Sequence, residues 1–142
     1  MNLKNLKVVF AGCARDCSTF LPDSIKNIRS YSKLFKESYT LIVENGSKDK
    51  TKEILNQNLS KNDIFLFRED LTRLPNRGQR LETARNLIIE KIRDEEKLKN
   101  CDLFIVIDLD DVGTYKINEN DISRAVDFLF SKKKLELFLR IN

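Results

Sequence analysis

The 142-residue sequence predicts an α/β fold built on a mostly parallel sheet, and three observations carry that prediction. Short β-branched or aromatic apolar runs recur along the chain, stretches with helical spacing separate them, and loops rich in glycine, asparagine or acidic residues follow each run. Strands that alternate with helices are joined by right-handed crossovers, and in such sheets ligands collect at the carboxyl ends of the strands.

The first strand is expected over residues 7–12, where Lys7-Val8-Val9-Phe10-Ala11 runs into Gly12. The loop Cys13-Ala14-Arg15-Asp16-Cys17 then brings an arginine to the strand end. Ser18 is the expected cap of a helix whose Leu21, Ile25, Ile28 and Phe35 form one stripe, with Pro22 tolerated in the first turn. Tyr39-Thr40-Leu41-Ile42-Val43 makes a second strand. It ends in Glu44-Asn45-Gly46-Ser47, with glycine for the turn and Ser47 as the expected cap of a helix carrying Ile54 and Leu55. A third strand, Asp63-Ile64-Phe65-Leu66-Phe67, leads to an arginine-bearing loop over residues 70–78. From Arg80, Leu81, Ala84, Ile88 and Ile92 take helical spacing.

Leu103-Phe104-Ile105-Val106-Ile107 reads as a fourth strand covered on both faces. Three carboxylates follow, Asp108, Asp110 and Asp111. On an extended chain residues two apart point the same way, so Asp108 and Asp110 can share one ligand while Asp111 points elsewhere. Oxygen ligands of this kind suit a hard divalent cation. The rival reading is a solvated acidic loop at a strand end. Asn120 is the expected cap of a last helix with Ile122, Ala125, Val126, Leu129 and Phe130 on its apolar face, ended by Lys132-Lys133-Lys134, and residues 135–141 alternate as a final strand would.

Composition sets the outer limits. Hydrophobic residues make up 41% of the chain, enough for one core, and a single domain over residues 1–142 is expected. No apolar run reaches transmembrane length, and the first ten residues lack a signal-peptide core, so a cytoplasmic location is expected. Cys13, Cys17 and Cys101, with no histidine, fall short of a structural zinc set and read as reduced, mostly buried thiols. The 26 basic and 22 acidic residues are interspersed, which argues against a nucleic-acid surface. The net charge of +4 leaves room for an anionic ligand or peripheral association with an anionic membrane.

Taken in order, the Ala11-Gly12-Cys13-Ala14-Arg15 loop, Glu44-Asn45-Gly46-Ser47 at the end of the second strand, the helix carrying Arg80 and Arg85, and Asp108-Leu109-Asp110 as a DxD motif resemble the nucleotide-sugar-binding half of a GT-A-fold glycosyltransferase. The likeness is to the broad group of family-2 and capsule or lipooligosaccharide transferases. It implies a Rossmann-like nucleotide-binding half and a nucleotide-diphosphate sugar donor. Ala11 and Arg15 would lie against the nucleotide and Glu44 would hold the base, with Asn45 and Ser47 beside it. Arg80 and Arg85 would face the phosphates. Asp108 and Asp110 would hold Mn2+ or Mg2+, with Asp108 also meeting the donor.

The resemblance leaves the catalytic base unassigned and the glycan or lipid-linked acceptor undefined. In the family both the base and the acceptor half follow the DxD motif, and only 31 residues follow Asp111 here, so a truncated chain that retains donor binding and transfers no sugar alone is expected. Two other readings stand beside it. One is a non-catalytic nucleotide-binding or interaction module. The other is a haloacid-dehalogenase-like phosphatase with Asp108 as nucleophile and Asp110 as acid/base, for whose later motifs the remaining chain is too short.

Overall fold

The computed structural model describes residues 1–132; the strand expected over residues 135–141 lies outside them. Four strands, β1 (Lys7–Ala14), β2 (Glu37–Glu44), β3 (Asp63–Phe67) and β4 (Leu103–Val106), form one sheet in the order β3-β2-β1-β4 with every pairing parallel. The helices are α1 (Leu21–Ser32), α2 (Thr51–Gln57), α3 (Arg77–Asp94), the single turn α4 (Glu96–Lys99) and α5 (Glu119–Ser131).

Alternation along the strands divides the core in two. Val8, Phe10 and Ala14 of β1 and Ile42 of β2 face Leu21, Ile25 and Ile28 of α1, Leu55 of α2 and Val126 of α5. Val9, Ala11, Leu41 and Val43 face Ala84, Ile88 and Ile92 of α3, with Leu98 of α4. The chain moves outward from β1 through β2 to β3 with α1 and α2 on one face. It then returns across the other face through α3 to place β4 on the far side of β1. The strand order therefore reverses between β1 and β4, where the carboxyl ends of open parallel sheets form a binding crevice.

Several local expectations are corrected. Helix α1 starts at Leu21 with Phe20 at its N-cap position and no side-chain cap; Ser18 lies before it, with its N–H donating to Asp49 Oδ2 (3.0 Å), and Phe35 lies beyond the helix end, although it is buried. Helix α2 starts at Thr51 rather than after Ser47. Helix α3 starts three residues before Arg80, capped by Asn76 Oδ1, which accepts from the Gln79 N–H (2.9 Å). The cap of α5 is Asn118, whose Oδ1 accepts from the Asn120 N–H (2.8 Å), so Asn120 donates rather than caps, and Ala125 is exposed. The fourth strand packs on both faces, Leu103 and Ile105 against one half of the core and Phe104 against the other. Among the described residues β4 is an edge strand paired with β1 alone, and Val106 is 63% exposed.

Candidate functional site

Local structure at the carboxyl edge of the sheet begins with two interlocked loops. The segment after β1 and the segment after β2 bind each other through hydrogen bonds in both directions. Ser47 Oγ accepts from the Asp16 N–H (3.0 Å), Thr51 Oγ1 from the Cys17 N–H (3.0 Å), and Asp49 Oδ2 from the Ser18 N–H (3.0 Å), while Asp16 Oδ1 accepts from the Lys48 N–H (2.7 Å). Asp16 adopts a left-handed conformation (φ 47°), which aspartate tolerates better than most residues. Ser47 is thus a loop tie. Burial works against the charge on Asp49, yet hydrogen bonds from Thr51 and Ser18 hold its carboxyl down at about 2.

Between β1 and β4 the edge opens into a cavity of about 650 Å³, within the range of small-molecule sites. Its walls come from the end of β1 and the loop after it (Ala11 to Cys17), from Asn45 just after β2, from one face of α3 between Arg77 and Ile89, and from Phe104 to Asp110. Gly12 allows the last of these to come close, since a Cβ there would sit 2.5 Å from the Ile107 carbonyl oxygen. The Ile107 N–H donates to the Ala11 carbonyl (2.8 Å), which carries the β1–β4 pairing one step past the strand and delivers Asp108 beside Gly12 and Cys13.

Asp108 and Asp110 are exposed and line this cavity, while Leu109 between them is buried at 3%. Both carboxylates thus reach one cavity, although β4 ends at Val106. Asp111 opens a 3-10 turn (Asp111–Thr114) and does not line the cavity. Asp110 Oδ1 accepts from the Val112 N–H (3.1 Å), and among the described residues its other oxygen has no hydrogen-bond donor.

Opposite the carboxylates stand arginines. Arg15 reaches the cavity from the first loop, and Arg77, Arg80 and Arg85 reach it from α3. Among the described residues Arg77, Arg80 and Arg85 have no carboxylate within 4 Å, so the ion pairs with Glu82 or Glu90 that would make them ordinary surface charges are not formed. Arg15 has only Asp16, at 3.9 Å. Arg15 Nη1, Arg80 Nε and Asn45 Oδ1 are buried atoms without a hydrogen-bond partner among the described residues, and all three belong to cavity-lining residues. Polar atoms left unpaired in this way cost stability and mark a place where a ligand can complete the network.

The Cys13 thiol also lines the cavity. Burial pushes it up, Arg85 opposes and Asp108 adds to the shift, so it stays a thiol rather than a nucleophilic thiolate at neutral pH. Cys17 and Cys101 are buried and likewise shifted up, in keeping with their reading as reduced thiols.

The chain resembles S. aureus TarS. The crystal structure of TarS 1-349 superposes with a TM-score of 0.54 and 15% sequence identity, covering 89% of this chain and 33% of that one. The chain thus spans about a third of the TarS structure, and the likeness establishes a shared α/β fold with a parallel sheet flanked by helices. No family model matches the sequence, and no curated protein matches it.

Of the residues singled out from sequence, Ala11, Arg15, Asn45, Arg80, Arg85, Asp108 and Asp110 come together around the cavity. Glu44 and Ser47 do not line it. Glu44 is buried at 1%, and its carboxylate accepts from the Ser47 N–H (2.5 Å), closing the turn after β2. Arg77, expected in the loop over residues 70–78, lies instead in the first turn of α3. Asn76 followed three residues later by Gln79 is a helix-start pattern that would have placed Arg77 in the first turn of α3, on the wall.

Among the described residues no three acidic or thiol side chains gather into a metal cage. Two carboxylates with free oxygens on an open cavity are nevertheless the donor set that magnesium or manganese uses when phosphate oxygens and water complete the coordination. The residues fit such an ion as one shared with a phosphorylated ligand. Among the described residues no helix is long and apolar enough to cross a membrane.

Proposed function

We propose that this chain binds a nucleoside-diphosphate sugar together with Mn2+ or Mg2+, as the donor-binding part of a glycosyltransferase. The observation that carries the reading is the division of charge across one cavity, with Asp108 and Asp110 on one wall and Arg15, Arg77, Arg80 and Arg85 on the others. An anion bound to four arginines alone would not need two carboxylates facing it. A diphosphate that brings a divalent cation satisfies both walls. The shared fold with TarS, a glycosyltransferase, supports the same reading.

In this reading the donor diphosphate lies between the carboxylates and α3. Arg80 and Arg85 meet its oxygens, Arg77 adds a contact at the helix start, where backbone N–H groups also favour negative charge, and Arg15 approaches from the first loop. Bound at Asp108 and Asp110, the cation would supply Lewis-acid neutralisation of the charge that develops on the departing diphosphate. Arg80 is already held on the cavity wall, its Nη1 donating to the Leu74 carbonyl (3.1 Å), so it needs little reorganisation when that charge appears. Ala11 and Gly12 give the first loop a low profile that lets a flat nucleoside approach. Asn45 presents its side-chain amide oxygen to it from just after β2, and Glu44 acts from behind through the turn that it closes. A glycan or lipid-linked acceptor, and a base to deprotonate it, are outside what these residues supply.

Isothermal titration of the 142-residue chain with uridine, guanosine and cytidine diphosphates, in Mn2+ and again in chelator, tests the reading. Saturable binding of at least one nucleotide that requires the metal is expected. Equal affinity in chelator would leave the arginines as an anion site and remove the metal from it, and no binding in either condition would overturn the reading.

A further inference from the structure

The segment that follows the two carboxylates is tied to α1 rather than left as a free loop. Asn27 of α1 is buried, and its Nδ2 donates to both the Gly113 and the Thr114 carbonyls, each at 3.0 Å. These carbonyls end the 3-10 turn Asp111–Thr114, where backbone oxygens lack partners within the turn. One turn of α1 further on, the Tyr31 hydroxyl accepts from the Ile117 N–H (2.8 Å) and donates to the Tyr115 carbonyl (3.5 Å). Tyr31 is itself buried against Phe10.

The turn in its place determines where the carboxylates stand. A Cβ on Gly113 would lie 2.1 Å from the Asp108 carbonyl oxygen, so the turn packs backbone to backbone against Asp108. The Gly113 N–H donates to the Asp110 carbonyl (3.1 Å), and the Val112 N–H to Asp110 Oδ1 (3.1 Å). A continuous path therefore runs from the core face of α1 through Asn27 to Gly113 and on to Asp108 and Asp110.

We infer that Asn27 is a positioning residue for the Asp108–Asp110 pair, with Tyr31 as a second tie, acting through the Gly113 turn and touching neither the cation nor the nucleotide. The role rests on the donor-site reading above, and it assigns to helix α1 a function beyond the core. Beyond the sheet pairing that ends at Ile107, the described hydrogen bonds from α1 to this segment are those of Asn27 and Tyr31. With Leu at position 27 the two carbonyls lose their donor, while an apolar group of similar size still fills the space.

The test pairs two readouts on Asn27→Leu and Tyr31→Phe in the full chain. Hydrogen–deuterium exchange reads the tie without any ligand, and exchange over residues 108–114 should rise in both variants while the β1–β2 core stays protected. Mn2+ binding in the presence of uridine diphosphate reads the consequence. Affinity should fall by about ten- to a hundredfold in Asn27→Leu, the range for groups that orient metal ligands, and less in Tyr31→Phe, with metal-free nucleotide binding unchanged. Unchanged exchange over residues 108–114 would overturn the inference whatever the metal does. So would faster exchange with unchanged Mn2+ affinity. Wild-type chain that binds no Mn2+ would instead overturn the donor-site reading, and with it the inference's bearing on a metal. Should Asn27→Leu fail to fold, Tyr31→Phe, which loses one hydroxyl, carries both readouts.

Discussion

At the residue scale, Asp110 combines two tasks that substitution can separate. Its side chain caps the 3-10 turn through the Val112 N–H, and its remaining oxygen faces the cavity. Asparagine keeps the accepting oxygen and loses the charge. Asp110→Asn is therefore expected to change folding stability by no more than about 0.5 kcal/mol, as for an exposed position, while metal-dependent nucleotide affinity drops by tenfold or more. Urea denaturation beside calorimetric titration checks it, and a large stability loss with intact affinity would make Asp110 a turn cap and nothing more. Arg77 offers the complementary case. It is exposed, lines the cavity and has no carboxylate partner among the described residues, so Arg77→Ala should leave the melting temperature unchanged. Loss of a charge-assisted contact of about 1.5–3 kcal/mol should weaken diphosphate binding by tenfold or more. A nucleoside without phosphates, titrated in parallel, should show no difference.

The two interlocked loops behave as one element, and their pH dependence follows from Asp49. Its carboxyl is held at about 2 against an ordinary value of 3.8, so its hydrogen bonds favour the folded chain at any pH above about 4. That contribution fades as pH falls from about 4 towards 2, because the folded state resists taking up a proton that the unfolded chain accepts. Asp49→Asn has no proton to take up at this position. Denaturation midpoints measured at pH 5 and pH 3 should fall less on acidification for Asp49→Asn than for wild type. Equal slopes would show that the loops owe nothing to the ionised Asp49. The same element holds Arg15 at the cavity, since Asp16, Cys17 and Ser18 directly after it each donate a backbone N–H to the neighbouring loop. Helix α3 is a second element with two faces, burying Ala84, Ile88 and Ile92 against the sheet while its first turns bring Arg77 and Arg80 to the cavity.

Over the whole molecule the two half-cores meet back to back through β1, and Phe10 is the largest side chain that β1 contributes. It is 2% exposed, with ring centroids 6.3 Å from Tyr31 and 6.0 Å from Phe35. Phe10→Ala should cost about 3–5 kcal/mol by removing buried area and leaving a cavity. Because Tyr31 also ties the segment after Asp110, this variant should loosen residues 108–117 as well as lower stability, which hydrogen exchange can separate. A cost below about 1 kcal/mol would mean that α1 is not anchored through this cluster.

What the sequence determined by itself was periodic and local. Apolar runs three to five residues long between helical stripes sufficed for four parallel strands, since burial on a sheet face demands them wherever the strand sits. Asp108-Leu109-Asp110 announced a shared carboxylate face because side chains two apart on an extended chain must coincide. Caps were legible only as candidates: Ser18, Ser47 and Asn120 all have the right chemistry, yet each was claimed by a partner distant in sequence or displaced by a neighbour, and hydrogen-bond competition is settled in three dimensions. That β4 is an edge strand, that Glu44 faces inward to its own turn, and that Arg77 joins the cavity all depend on strand order and helix start. Above all, the tie from Asn27 to Gly113 spans 86 residues, and no spacing rule on the chain can reveal a contact made only because α1 and the turn after Asp110 pack on the same side of one sheet.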